Sequence, residues 1–376
     1  MTVQSSGAPD GADTRVDFYS LTRGELEEWL QRECGEPPFR ARQLFQWVYW
    51  RRVTDVLQMS DLSRGLREQL AARLYFPQAG IDSRQISTDG TRKYLLRVEK
   101  DDRIECVFIK QPKRNTLCVS SQVGCAMGCR FCRTATMGLR RHLSPSEIVR
   151  QVLLAIDDAK EFGDAFENLV FMGMGEPLHN VENVIKALEI IRDASGLNIS
   201  GRRITVSTSG LVPAIERFGA ANLDVNLAVS LNATDDETRE QVMPVNKRWN
   251  IAALLQALRE FPMKPRRCIT IEYVMLGGVN DRREDLVRLP KLLHGLRAKV
   301  NLIPYNMNAG LGFTTPSKER ILEWQHALLS HGLSTTIRWS KGPDIDAACG
   351  QLATATSKVT KIRAERAYEA PSESTL

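Results

Sequence analysis

The chain has 376 residues, more than one hydrophobic core comfortably serves, so a main domain of about 200 to 250 residues with appendages is expected. With 43% apolar and 26% charged residues, no apolar run long enough to cross a bilayer and a polar first twenty residues, the composition excludes membrane spanning and a secretory signal, and a cytoplasmic location is expected. The formal charge of +6 is modest, but basic pairs at Arg51-Arg52, Lys113-Arg114, Arg140-Arg141, Arg202-Arg203 and Arg266-Arg267 suit either phosphate contact or a solvated surface, and charge alone does not choose.

Residues 1–17 are Ser-, Gly-, Ala- and Asp-rich without periodicity and are expected to be disordered, as is the end after about Arg366. From Leu21 to Leu74, Leu44, Phe45, Val48, Leu62, Leu66 and Leu70 recur at three- and four-residue steps, which predicts a small helical module broken at Gly35–Pro38. Between Ile81 and Ile109 the pattern changes to short strands, with Asp89-Gly90 as a hairpin signal and a turn near Asp101-Asp102.

From Asn115 onward, β-rich runs alternate with helical stretches. The six expected strands are Leu117–Ser121, Leu169–Met172, Ile204–Thr208, Val225–Leu231, Ile269–Met275 and Val300–Tyr305, with helices such as Ser144–Phe162 and Val181–Ala194 between them. This predicts an α/β fold, a partial (β/α)6 barrel with an N-terminal helical and β accessory domain. The expected boundaries are 1–17 for the disordered start, 18–100 for the accessory domain, 101–340 for the barrel and 341–376 for a C-terminal segment. In parallel β/α architectures working groups gather at the C-terminal ends of the strands.

Eight cysteines in a reducing compartment are not a disulfide framework. Cys34, Cys106 and Cys268 lie alone and read as small apolar residues. Cys125, Cys129 and Cys132, by contrast, crowd one loop after the first barrel strand with three and then two residues between them. Zinc sites usually close a tetrahedron with four ligands, whereas this loop offers three thiolates. A 4Fe-4S cluster held by three cysteines keeps one iron open for a chelating substrate; a structural zinc with Cys118 or His142 as fourth ligand is the competing reading.

The cysteine triplet in this setting resembles the radical S-adenosylmethionine (SAM) superfamily. Within it, Cys118-Val-Ser-Ser-Gln-Val-Gly-Cys125, Gly173-Met-Gly-Glu-Pro177, Ser207-Thr-Ser-Gly210 and Asp344–Leu352 are similar to the RlmN/Cfr family of RNA adenosine methyltransferases, over about residues 21–355. The resemblance implies a 4Fe-4S cluster on Cys125, Cys129 and Cys132, and SAM contacts from Gly175, Glu176, Ser207, Ser230, Leu231, Asn232 and Asn306. The family often has His where Asn232 stands.

Carbons 2 and 8 of adenine are poor nucleophiles, and the family avoids polar attack. The resemblance implies that one SAM methylates Cys349 and a second yields a 5′-deoxyadenosyl radical that activates the S-methyl group. The resulting carbon radical adds to the base, Glu105 accepts the base proton, and Cys118 attacks the sulfur of Cys349, releasing product with a transient disulfide. The implied partners are 23S rRNA at the peptidyl-transferase centre, tRNA at the adenosine 3′ of the anticodon, and a reductant such as flavodoxin with its reductase. Pro177 favours the carbon-2 branch over the carbon-8 branch, which tends to have Ala there. A third reading, a non-catalytic RNA-binding protein whose cysteines staple a loop around zinc, leaves the Gly-Met-Gly-Glu turn and Cys349 without a purpose.

Overall fold

The computed structural model describes residues 15–78, 80–308 and 310–354; most of the expected disordered start, 1–17, and the whole expected disordered end after about Arg366 lie outside the described residues. The expected N-terminal tail, 1–17, overlaps the described residues by three, 15–17. Val16–Asp17 (β1) pairs in parallel with Leu74–Tyr75, and Asp17 caps the following turn by accepting from the Tyr19 N–H at 2.9 Å.

The helical module comprises Arg23–Cys34 (α1), Phe39–Phe45 (α2), which runs on as a π-turn through Gln46–Trp50, and Arg64–Arg73 (α3), which leads into Leu74–Tyr75 (β2). Local chemistry sets the ends of α1. Thr22 and Glu25 form a reciprocal capping box (3.2 and 2.8 Å), and Gly35 at φ +67° stops the helix. Phe18, Phe45, Tyr49 and Phe76 pack as an aromatic core with centroids 5.0 to 5.9 Å apart.

Three strands follow, Gly80–Ile86 (β3), Arg92–Arg97 (β4) and Arg103–Ile109 (β5), antiparallel to one another. They are part of the main sheet: β5 pairs antiparallel with Thr116–Val119 (β6), the first barrel strand. The boundary expected at residue 100 therefore falls in the turn Glu99–Asp101 between two strands of one sheet. A short hairpin of Gln122–Gly124 (β7) and Leu139–His142 (β8) precedes Pro145–Glu161 (α4), whose Ser144–Glu147 capping box and Pro145 define its start.

The chain then alternates through Asn168–Phe171 (β9), Val181–Arg192 (α5), Ile204–Thr208 (β10), Val212–Ala220 (α6), Asn226–Ser230 (β11), Asp236–Val242 (α7) and Ile251–Glu260 (α8). It continues through Ile269–Met275 (β12), Arg283–Leu292 (α9), Ala298–Pro304 (β13), Lys318–Ser330 (α10) and Thr335–Ile337 (β14). The ten-stranded sheet runs β14-β13-β12-β11-β10-β9-β6-β5-β4-β3. Its first seven members are parallel, so the six expected strands gain a seventh, β14. Every inter-strand connection in that part carries a helix, and the C-terminal strand ends open on one side. The module docks against the helices through Arg23 to Asp193 at 2.9 Å, Lys186 to Glu25 at 2.7 Å and Trp50 to the Gly196 carbonyl. Among the described residues no helix is long and apolar enough to cross a membrane.

Candidate active site

The β7–β8 hairpin carries the three-cysteine loop. Its neck cannot hold a side chain at Gly124, which sits at φ +78° with the Gly138 carbonyl oxygen where a Cβ would lie, 1.8 Å away. The Cys125 N–H donates to that same carbonyl at 2.9 Å, closing the neck. Cys125, Cys129 and Cys132 all line one solvent-open cleft of about 930 Å³. Burial pushes all three thiols up, and the neighbouring cysteines push Cys125 and Cys129 further.

The donor set can be tested against the expected cluster. Among the described residues no three His, Cys, Asp or Glu side chains converge as one metal ion requires. A mononuclear zinc needs its thiolates on one centre at about 2.3 Å each; a polynuclear iron–sulfur cluster takes each thiolate on a different iron. Three thiols that line one cavity without converging, Cys125 buried and Cys129 and Cys132 partly so, fit the cluster. His142, the other fourth-ligand candidate, is instead bonded through Nδ1 to the Gln122 side-chain amide at 2.9 Å.

The rest of the cleft is built from successive strand ends. After β9 the chain turns through Gly173–Glu176, where Gly173 and Gly175 pack so closely on Val119, Ser120 and Gln122 that an added Cβ would approach to 2.5–2.8 Å. Glu176 is buried, which raises its pKa, and both of its oxygens accept backbone N–H groups, from Leu178 at 3.0 Å and Ser209 at 2.7 Å. Ser207, the last residue but one of β10, donates to Glu272 Oε2 on β12 at 2.7 Å. Ser230 and Asn306 also line the cleft.

Leu231 and Asn232 do not. Both are fully buried, and Asn232, at φ +56°, has its amide engaged: Oδ1 accepts from Val274 N–H at 2.8 Å and Nδ2 donates to Met243 Sδ at 3.1 Å. The side chain expected to face a ligand there is consumed by the strand-end loop.

The C-terminal segment completes the cleft. Cys349 lines it, and its loop is bonded to the cysteine loop: Arg133 N–H donates to the Gly350 carbonyl at 2.8 Å, and Thr134 Oγ1 to that of Leu352 at 2.6 Å. Asn306 Nδ2 donates to the Cys349 carbonyl at 3.1 Å. Glu105 lies beneath this loop, 6% exposed, accepting from Ala353 N–H at 2.8 Å with Lys93 Nζ 3.2 Å from its other oxygen; burial raises its pKa. Cys118 is buried on β6, outside the lining but near Cys349, and burial foremost pushes its thiol up to about 12.

Four further polar residues escaped the sequence reading. Gln122 accepts from Glu176 N–H at 2.7 Å and donates to the Nδ1 atoms of His142 (2.9 Å) and His179 (3.2 Å), joining the hairpin to the Gly-Met-Gly-Glu turn. Arg239, with no exposed surface, donates to the carbonyls of Ser209 (2.8 Å), Ser230 (3.2 Å) and Leu231 (3.0 Å). Glu272 lines the cleft from the middle of β12, and Arg338 lies 3.8 Å from it beside the two cysteines. Only Gln122 carried a signal, its place inside the Cys118–Cys125 motif.

Two family models match: the radical SAM superfamily over residues 119–289 and the ribosomal RNA large subunit methyltransferase N-terminal domain over residues 16–75. The dual-specificity RNA methyltransferase RlmN 2 of Myxococcus xanthus is 50% identical over 343 residues, 90% of this chain and 90% of that protein. The dual-specificity RNA methyltransferase RlmN of Geobacter sulfurreducens is 48% identical, covering 90% and 92%. A crystal structure of a radical SAM methyltransferase from Sphaerobacter thermophilus superposes with a TM-score of 0.83 at 44% identity, covering 89% of this chain and 98% of that one. The α/β architecture is thus the radical SAM fold, and the chain belongs to the RlmN family of radical SAM RNA methyltransferases.

Proposed function

We propose that this enzyme methylates carbon 2 of adenosine in 23S rRNA and in tRNA through a methylated Cys349. The observation that carries the reading is that Cys349 shares one cleft with Cys125, Cys129 and Cys132, on a loop hydrogen-bonded to theirs. The names of the relatives, dual-specificity RNA methyltransferases, support two RNA substrates.

In this reading Cys125, Cys129 and Cys132 hold a 4Fe-4S cluster, and Gly175, Glu176, Ser207, Ser230 and Asn306 shape the SAM site, with Leu231 and Asn232 supporting the strand end behind it. Cluster and SAM together supply reducing power, the methyl group and a carbon-centred radical. Cys349 carries the methyl group on its sulfur at the mouth of the cleft, where an unstacked adenine can meet it. Glu105, its pKa raised by burial and its carboxylate tied to the Cys349 loop through Ala353, accepts the base proton. Cys118 attacks the sulfur of Cys349 to release the product, and Arg338 beside it favours the thiolate this requires. Electrons come from a flavodoxin-type protein, and the RNA substrates make the enzyme cytoplasmic.

The test is anaerobic reconstitution with iron and sulfide, incubation with reductant, SAM and unmodified rRNA or tRNA, and mass analysis of the nucleosides. Expected is 2-methyladenosine with wild type and none with Cys349→Ala. Only 8-methyladenosine would overturn the regiochemistry; a loop that loads zinc but not iron would overturn the enzyme reading of the cysteines.

A further inference from the structure

The loop that carries Cys349 rests on one ion pair. Lys93 of β4 and Glu105 of β5 are 8% and 6% exposed, and Lys93 Nζ lies 3.2 Å from Glu105 Oε1. Each partner also holds the loop itself. Lys93 Nζ donates to the Asp346 carbonyl at 3.4 Å, ahead of Cys349 in the chain, and Glu105 Oε2 accepts from Ala353 N–H at 2.8 Å, beyond it. The pair therefore ties both arms of the loop to the antiparallel strands. Burial by itself favours the uncharged carboxyl, and a carboxyl that already carries its proton cannot take another from a base. Against burial, which raises the pKa of Glu105 most, Lys93 pulls hardest the other way. Ser120 and Met174, which meet the Glu105 backbone, bring no charge. Arg133 on the cysteine loop does, but its side chain is 50% exposed and lies 3.5 Å from the Asp346 carboxylate, so its charge is screened and shared.

We infer that Lys93 is a positioning residue for the proton-transfer step: its ammonium keeps Glu105 in the carboxylate form that accepts the base proton, and fixes that carboxylate to the loop of Cys349. This rests on the proposed role of Glu105 and adds the group that makes the role possible in a buried setting. The step moves one proton from the base to a Glu105 oxygen, while Lys93 keeps its own. An ammonium suits the task because its three N–H donors leave one atom, so a single point charge reaches both the Glu105 oxygen and the Asp346 carbonyl. A plain tether would need only the hydrogen bond to Asp346. The charge beside Oε1 gives Lys93 a second effect, on ionisation, and the two effects separate in their dependence on pH.

The test uses the full-length, cluster-loaded protein under anaerobic conditions. The ionisation of Glu105 is read without RNA, from pH-titrated infrared difference spectra between each protein and its Glu105→Gln counterpart. RNA methylation and 5′-deoxyadenosine formation are then followed in single turnovers over the same pH range. Lys93→Met is expected to move the Glu105 titration to higher pH. Its methylation of RNA should fall on the order of tenfold at pH 7 and recover as pH rises, with 5′-deoxyadenosine formation unchanged. Lys93→Arg, which keeps the charge, is expected to titrate like wild type. A Glu105 titration unmoved in Lys93→Met, one moved equally in Lys93→Arg, or a methylation loss that is the same at every pH overturns the inference and leaves Lys93 a tether of the loop. If Lys93→Met fails to load the cluster, Lys93→Gln takes its place. Methylation at the wild-type rate by Glu105→Gln overturns instead the reading of Glu105 as the base.

Discussion

At the scale of single residues, the site depends on positions where any side chain is too much and on groups whose chemistry burial has changed. Gly175 is the first kind: at φ +101°, an added Cβ would lie 2.5 Å from Gln122 Cβ and 2.8 Å from its backbone nitrogen. Gly175→Ala is expected to cost about 2 to 3 kcal/mol in urea unfolding and to abolish S-adenosylhomocysteine binding; unchanged stability would show that the turn can shift away from Gln122. Cys118 is the second kind. With its thiol pushed up to about 12 and 4% exposed, it should resist alkylation by iodoacetamide at pH 8, while half-buried Cys349 reacts. Peptide mapping checks this, and equal labelling would mean that the loop over Cys118 opens readily. That the cysteines and the glycine turn belong to one site was legible because each is a local pattern within a few residues, and the structure brings both to one cleft. Glu272, Arg239 and Arg338 were not, because each matters through partners 30 to 166 residues away, which no local pattern reports.

Among the elements, the helices were read most securely. Ser144 with Glu147 forms a capping box and Pro145 is a first-turn proline, and α4 begins there. The strand β14 was missed because three residues are too few to show a period, and β7–β8 because a hairpin around a fourteen-residue loop has no turn signature. What joins these elements at the site is Arg239 on α7, whose burial lowers its pKa to about 10 and whose guanidinium ties the ends of β10 and β11. Arg239→Lys keeps the charge but cannot reproduce the fork, leaving buried carbonyls without donors. A loss of about 3 kcal/mol is expected, together with weaker S-adenosylhomocysteine binding at unchanged iron content. If iron is lost in proportion, Arg239 supports the cysteine loop rather than the strand ends.

Across the whole molecule, the antiparallel strands β3–β5 extend the barrel sheet and are locked to it by ion-paired carboxylates, which makes their attachment sensitive to acid. Asp164 receives Lys110, just after β5, and Arg92 of β4, and these hold its carboxyl below the usual range. Glu147 on α4 would be raised by burial, but Arg141 at 2.8 Å and the Ser144 and Glu99 N–H groups hold it low. A carboxyl depressed in the fold contributes stability above its unfolded pKa, about 4, that is lost as pH falls through the folded value. Glu105 and Glu176 work in the opposite sense. Raised by burial, they cost stability at neutral pH, and that cost is relieved as pH falls towards their unfolded values near 4.3. The urea midpoint of the cluster-free protein should therefore hold or rise slightly from pH 7 to 5 and drop below pH 4. In Glu147→Gln the protein should start less stable at pH 7 and lose less between pH 5 and 3, by on the order of 1 kcal/mol. A parallel fall in variant and wild type would move the acid sensitivity away from the junction of α4 with β8 and the β4–β5 turn.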